Sequence, residues 1–145
     1  MSILACLDLS PISNRVVDEA VKLATGLGEE LTLLHVGAPD PDFVGYDVGP
    51  NTVRDAVAHE LRAEHRELEN WRQLAQGAGA SARALMIQGP TLEKLLSQVE
   101  RLAPRLVVVG SHGHSVLRDL VAGSTVQGLM KNSPVPVVVV PPVQG

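Results

Sequence analysis

The sequence predicts an α/β protein: a doubly wound, five-stranded parallel sheet with helices on both faces. Two observations support this fold class. Short apolar runs alternate with longer segments that carry an apolar helical stripe, and the alternation continues along the 145 residues. Strands that are apolar throughout are typical of parallel sheets, which are covered on both faces. The chain has no internal repeat or low-complexity tract, so we expect a single domain over residues 1–145.

Each predicted element rests on a local pattern. Strands are apolar runs that stop at glycine, proline or a polar residue, and helices carry apolar residues three and four positions apart. Asp8 ends the first strand, Gly28 the first helix and Pro104 the third helix. In chain order, the predicted elements are strand Ile3–Leu7, helix Ser13–Leu27, strand Leu31–Val36, helix Thr52–Gln76, strand Ala80–Ile87, helix Leu92–Leu102, strand Leu106–Val109, helix Ser124–Lys131 and strand Val135–Val140.

The first two predicted helices are amphipathic. The outer face of the second is rich in Glu and Arg, and His59 and His65 are expected at its surface. His35, inside the second strand, is expected in the core or at the edge of a crevice. Between the second strand and the second helix, Gly37–Asn51 contains three prolines and three glycines and is predicted to be an irregular loop. The buried stripes are predicted to be Val16, Val17, Ala20, Val21, Ala24 and Leu27 in the first helix, and Val53, Val57, Leu61, Leu68, Trp71 and Ala75 in the second.

Composition argues against several classes of function. A formal charge of −4 and a pI near 5.7 are unsuited to a nucleic-acid or anionic-membrane surface. One Phe, one Trp and one Tyr leave no stacking platform for single-stranded nucleic acid. The longest apolar runs are too short to span a bilayer, and we expect no leader segment before the first strand. The single cysteine, Cys6, is expected as a small core residue, so we expect a cytoplasmic protein.

The segment after the fourth predicted strand has the spacing of a phosphate-binding loop. The strand stops at Gly110, and Gly113 and Gly123 follow at set distances, with Ser124 and Thr125 directly after. Glycine lets backbone N–H groups turn toward an anion, and a helix N-terminus adds unpaired donors. The alternative, that these glycines only permit tight turns, is less favoured because the spacing is complete. A Walker loop is excluded, because Leu129 and Met130 follow Gly128 where Lys and Ser or Thr are required.

A second polar segment, Asp8–Pro11, follows the first strand. Parallel sheets bind ligands at the carboxyl ends of their strands, where the strand order reverses. If the first and fourth strands are neighbours, both segments meet at one crevice. Asp8 is therefore interpreted as a ligand contact, with a turn or helix-capping role as the alternative.

Two histidines in the glycine loop, His112 and His114, do not make a zinc site without a neighbouring cysteine or carboxylate pair. His112 is expected near phosphate and His114 in solvent. Arg118 and Lys131 could assist phosphate binding, although a solvated position is as well supported for each.

Both ends of the chain resemble the universal stress protein family. The similarity is carried by LACLDLSPISNRVVDEAVKLATGLGEELTLLHV near the start and by VVVGSHGHSVLRDLVAGSTVQGLMKNSPVPVVVVP near the end. The family's nucleotide motif, Gly-x2-Gly-x9-Gly-Ser/Thr, is matched by Gly110, Gly113, Gly123 and Ser124. After Asp8 the family often has Gly-Ser, whereas this chain has Leu9, Ser10 and Pro11.

The resemblance implies an adenine nucleotide alpha hydrolase-like fold and a cytosolic, ATP-binding protein that acts in stress adaptation. The bound nucleotide could also be AMP or ADP. By position, Asp8 would bond the ribose or the adenine edge, Val36 would meet adenine through its backbone, and Met86 would lie against the purine. The residues expected to hold ribose and phosphates are Gly110, Gly113, Gly123, Ser124 and Thr125, and Leu9, Ser10, Pro11, Ser111 and His112 complete the expected site.

Three functions remain open at this point. The first is a regulatory protein that holds ATP, because phosphoryl transfer needs a positioned base, metal ligands and a charge-neutralising clamp, and the sequence identifies no such set, although Asp8 and Ser124 could share a Mg²⁺ ion. The second is a slow ATPase in which Asp8 or His112 orients water. The third is an interaction module with a vestigial pocket. Related proteins dimerise through the last strand, and we expect Val135–Val140 to pair with its copy in a homodimer.

Overall fold

The computed structural model of the protein describes residues 1–37, 50–111 and 124–142. These residues form a five-stranded parallel sheet and four helices, which confirms the predicted α/β fold class. The elements are, in chain order, β1 Ser2–Cys6, α1 Ser13–Leu27, β2 Glu30–Gly37, α2 Pro50–Gly77, β3 Ala82–Gln88, α3 Thr91–Leu102, β4 Leu106–Gly110, α4 Ser124–Asn132 and β5 Val137–Val140.

The strand order is β3-β2-β1-β4-β5, with every pairing parallel. From β1 the chain adds β2 and β3 on one side, then crosses back and adds β4 and β5 on the other. The order therefore reverses between β1 and β4, where Ala5 is paired with Val108. In open α/β sheets this switch point is where the carboxyl ends of two strands leave a crevice.

The core is divided by the sheet into two layers, because successive side chains of a strand point to opposite faces. Helices α1 and α2 cover one face, where Ile3, Leu33 and Val108 are buried. Helices α3 and α4 cover the other face, where Leu4 and Leu34 are buried. The two-sided cover explains why strands such as β4 carry no polar side chain.

Every predicted boundary lies within two residues of the one observed, and α1 agrees at both ends. Gly28 ends α1 as predicted: its φ of 68° is left-handed, and its N–H donates to the carbonyl groups of Ala24 and Thr25. The prediction that Leu27 is buried was wrong, because this last residue of the helix is 46% exposed. Of the stripe predicted in α2, Leu68 and Ala75 are buried. The side chains of Val53 and Val57 lie outside the described part.

The last strand is shorter than the predicted Val135–Val140. The Ser133 hydroxyl donates to the carbonyl oxygen of Val135 and accepts the N–H of the same residue, at 2.8 and 3.2 Å. Pro136 has no N–H to donate, although its carbonyl oxygen accepts the N–H of Val107 at 2.9 Å. Regular pairing with β4 therefore begins at Val137. β5 lies at the edge of the sheet, as predicted.

Candidate functional site

The two polar segments predicted to meet do leave the sheet side by side, because β1 and β4 are neighbours. Gly110 at the end of β4 packs against the start of α1. A Cβ atom on Gly110 would lie 2.9 Å from Ile12 Cγ2 and 3.3 Å from Val16 Cγ2. Ser111, the next residue, donates its N–H to the carbonyl oxygen of Val140 at 2.9 Å. The carboxyl ends of β1 and β4 and the N-terminus of α1 thus lie together at one edge of the sheet. In open α/β sheets ligands bind at this point, and the region is called here the switch crevice.

The segment after β1 is a tight turn. Asp8 Oδ1 accepts the N–H of Ser10 at 3.0 Å, and the carbonyl oxygen of Ser10 accepts the N–H of Ser13 at 2.9 Å. The turn role of Asp8 is therefore present in the structure, and its contact with a ligand remains a prediction. Leu9 has a φ of 61°, in the left-handed region that glycine adopts without strain. This conformation costs a leucine about 1–2 kcal/mol.

Three serine hydroxyls at the switch crevice are buried. Ser10 is 6% exposed and Ser13 1% exposed, and the Oγ atoms of Ser10, Ser13 and Ser111 have no hydrogen-bond partner among the described residues. A buried polar group without a partner costs about 1–3 kcal/mol, and a bound ligand or water is one way in which the missing bond is supplied. Sequence reasoning named Ser10 and Ser111 and missed Ser13. The sequence signal that could have identified Ser13 was a hydroxyl group on the first residue of the helix that follows the first strand.

Val36 and Met86, the residues predicted to meet the base, lie on opposite faces of the sheet. The Val36 side chain packs in the layer of α3 and α4, whereas Met86, paired with His35, packs in the layer of α1 and α2. Val36 lies on β2, beside β1. Met86 lies on β3, with β2 and β1 between it and Gly110. Val36 therefore lies one strand from β1, and Met86 lies two strands from it.

Met86 belongs to a separate depression on the flank of α2. The depression has a volume of about 490 Å³ and lies between α2 and the edge strand β3. Its lining combines the cationic residues Arg62 and Arg66 with the apolar residues Leu61 and Met86. The lining residues are Leu61, Arg62, His65, Arg66, Met86 and Gln88.

Part of the predicted loop lies outside the described residues. His112, Gly113 and Gly123 are not described, nor are His114 and Arg118. Ser124 is the first residue of α4, which agrees with the predicted helix start, but its side chain is not described. Thr125 is half-buried and Lys131 is exposed.

Gly128, the second glycine of the rejected Walker spacing, has a packing role. A Cβ atom there would overlap the side chain of Leu92, so this glycine allows α3 and α4 to approach each other. A helix contact accounts for the residue without any phosphate.

Two further features of the described residues bear on chemistry. No three His, Cys, Asp or Glu side chains within them are grouped as a metal site requires. Burial raises the pKa of the Cys6 thiol to about 12. Cys6 packs in the layer of α3 and α4, as expected of a small core residue rather than a nucleophile. No helix in the part that the structure describes is both long and apolar enough to cross a membrane.

The model of the Universal stress protein family matches residues 1–141. The chain belongs to this family. As a universal stress protein it is similar to Universal stress protein YxiE of Bacillus subtilis, with 30% identity over 142 residues, 94% of this chain and 96% of the relative.

Solved structures of universal stress proteins share the fold. Hypothetical protein MJ0577 superposes with a TM-score of 0.81 at 22% identity, covering 99% of this chain and 97% of the other. A universal stress protein in complex with cAMP gives a TM-score of 0.72 at 20% identity, covering 97% and 96%. The universal stress protein of Archaeoglobus fulgidus in complex with dAMP gives 0.67 at 16% identity, covering 96% of each chain.

Proposed function

We propose that this universal stress protein binds an adenine nucleotide at the switch crevice and acts as a regulatory protein in stress adaptation. The observation that carries the proposal is the convergence, at the β1–β4 switch point, of the Asp8 turn, Gly110 and three buried serine hydroxyls that have no hydrogen-bond partner among the described residues. The complexes of family members with dAMP and cAMP support the choice of adenine nucleotides. We further propose a single-domain, cytoplasmic protein.

Each part of the nucleotide has a proposed partner. Asp8 bonds the ribose or the adenine edge, and the backbone of Val36 meets adenine. The loop from Gly110 to Thr125, with Gly113, Gly123 and Ser124, holds ribose and phosphates. Met86 is retained as a purine contact, which requires the base to reach past β2. A Mg²⁺ ion between Asp8 and Ser124 would neutralise phosphate charge.

Removing the serine hydroxyls tests the proposed nucleotide binding. Ser10→Ala and Ser111→Ala remove a hydroxyl without a partner among the described residues, so the nucleotide-free protein should keep its thermal stability or gain some. The affinity for ATP, ADP or AMP, measured by calorimetry, should fall about fivefold per lost hydrogen bond. Ser97→Ala, on the exposed side of α3, is the matched control and should leave affinity unchanged. A wild-type protein that binds no adenine nucleotide, with or without Mg²⁺, would refute the proposal.

The same purified protein also shows whether a bound nucleotide is only held or is hydrolysed. Phosphate release from ATP above a trace rate, abolished in Gly113→Ala, would establish the slow ATPase. Mass spectrometry of the small molecule that co-purifies identifies the nucleotide held in cells. If no nucleotide co-purifies and calorimetry detects no binding, the interaction module is the function that remains.

We also propose a homodimer formed by antiparallel pairing of the last strand. β5 is an edge strand that consists of four valines, and an apolar edge invites pairing with another chain. Light scattering at micromolar concentration should give twice the chain mass. Val138→Lys on this edge should return the monomer mass if the pairing is correct, and a monomeric wild type would contradict it.

A further inference from the structure

A buried histidine connects the second strand to the end of the first. His35 lies in β2 and is 7% exposed. Its Nδ1 atom is 2.7 Å from the carbonyl oxygen of Leu7, and its Nε2 atom is 2.9 Å from Glu64 Oε2. A carbonyl oxygen can only accept, so Nδ1 carries a proton and donates it. The second bond has its proton on Nε2 or on Oε2, and both bonds are made in either case.

The first of these bonds holds the residue that precedes Asp8. Leu7 donates its N–H to the carbonyl oxygen of Leu34 at 2.8 Å, and its own carbonyl oxygen accepts from His35. Regular pairing of β1 ends at Cys6, so the imidazole holds the chain one residue beyond the strand. Directly after it come Asp8 and the left-handed turn at Leu9. The direction in which Asp8 leaves the sheet therefore depends on the His35 ring.

The second bond fixes the ring itself. Glu64 belongs to α2, which packs closely against the end of β2. A Cβ atom on Gly37 would lie 2.8 Å from Leu61 Cδ2 and 3.4 Å from Glu64 Oε2. A ring held by hydrogen bonds at both nitrogens has one orientation. The contacts thus run without a gap from α2 through Glu64 and His35 to the carbonyl group before Asp8.

We propose that His35 is a positioning residue for the nucleotide site: it sets the place of Asp8 through the Leu7 carbonyl group, and Glu64 makes that place depend on the seating of α2. The effect on binding rests on the proposed function. The positioning of Asp8 is a property of the nucleotide-free protein and is measured separately. His35 touches no nucleotide in this proposal.

Two substitutions at His35 separate its two bonds. Asparagine places an amide donor near the position of Nδ1, whereas glutamine reaches the position of Nε2. His35→Asn should therefore keep ADP affinity within about threefold of wild type, and His35→Gln should lower it about tenfold, the effect of losing one well-placed hydrogen bond. His59→Gln, at an exposed position of α2, is the control and should change nothing. Equal affinities for the asparagine and glutamine variants would overturn the positioning role.

A second series leaves the histidine in place. Glu64→Ala frees the ring and should lower ADP affinity by about threefold, and Glu64→Gln, which can still bond Nε2, should restore most of it. Glu67→Gln, exposed on the same helix, is the control. An alanine variant with wild-type affinity would overturn the dependence on α2.

The third measurement needs no nucleotide. In the wild type, the ring nitrogen shifts of His35 should show a protonated Nδ1, and the Ser10 amide, which donates to Asp8 Oδ1, should be protected from hydrogen exchange. His35→Gln should increase Ser10 exchange and His35→Asn should not. If no nucleotide binds but these shifts and exchange rates behave so, the proposed function fails and the positioning stands. Unchanged Ser10 exchange in His35→Gln would overturn the positioning itself.

Discussion

Gly110 lies against Ile12, so closely that a Cβ atom on the glycine would come within 2.9 Å of Ile12 Cγ2. This contact joins the end of β4 to the residue that precedes α1. The first glycine of the nucleotide motif therefore has a packing role whether or not a nucleotide is bound. Its substitution tests how the two sides of the switch crevice are held together.

Gly110→Ala should lower the free energy of unfolding by about 1–3 kcal/mol, because the added methyl group overpacks the contact with Ile12. The free energy is measured by urea unfolding. Ile12→Ala removes both side-chain atoms nearest to the new methyl group, so the double variant should lose less than the sum of the single losses. Gly26→Ala in α1, where a Cβ atom meets nothing within 4 Å, is the matched control and should stabilise by about 0.4–1 kcal/mol. Additive losses at Gly110 and Ile12 would contradict the contact.

At position 9, the glycine variant should be more stable than the alanine variant, which is the reverse of their usual order. Both Leu9→Ala and Leu9→Gly remove the same packing, but only glycine adopts a φ of 61° without strain. Leu9→Gly should therefore be more stable than Leu9→Ala by about 1 kcal/mol. At Leu74, an exposed position inside α2, glycine should instead be less stable than alanine by about 1 kcal/mol. The same order at both positions would show that Leu9 is not left-handed in solution.

The ion pair at the opposite end of the sheet predicts an acid-sensitive contribution to stability. Hydrogen bonds from Arg105 and the nearby N-terminal amine lower the pKa of Glu29 below its ordinary value of 4.5. A depressed pKa in the folded state stabilises the protein above the unfolded-state pKa, and this contribution is lost as the pH falls through the folded-state value.

Glu29→Gln should therefore lower the thermal midpoint at pH 7, and the difference from wild type should shrink as the pH falls below 4.5 and vanish once both states are protonated. Scanning calorimetry across this range measures it, with Glu30→Gln at the exposed neighbouring position as the control. A difference that grows toward acid pH would have the wrong sign. Nucleotide affinity should not change.

The Cys6 thiol should be inert in the folded protein. Its pKa of about 12 leaves almost no thiolate at pH 8, and the thiolate is the reactive form. The disulfide reagent DTNB should react with one thiol per chain in denaturant and only slowly in native buffer. Prompt reaction in native buffer would show that β1 opens at Cys6, and Cys6→Val should remove the signal in both conditions.

How far the sequence could predict the site depends on which contacts are local. The Asp8 turn and the glycine spacing are visible in the sequence. Parallel sheets bind ligands where the strand order reverses, and this rule predicts that both segments lie at one edge of the sheet. The bond between His35 and Glu64 joins residues 29 positions apart. The stripe predicted in α2 passes through Glu64, three residues after Leu61 and four before Leu68, whereas Glu67 lies off it. Helical spacing therefore indicates an inward Glu64, but no local pattern indicates that its partner is His35.

The sequence by itself determined the succession of strands and helices along the chain, the ends of α1 and the two polar segments after β1 and β4. Each of these features depends on neighbouring residues. The tertiary structure decided which side chains meet. The parallel register between β2 and β3 pairs His35 with Met86 and Val36 with Ile87, which places Met86 and Val36 on opposite faces. Packing of α1 on the β1–β4 pair buried Ser10 and Ser13. Register and helix packing are relations between distant segments, and no local pattern encodes them.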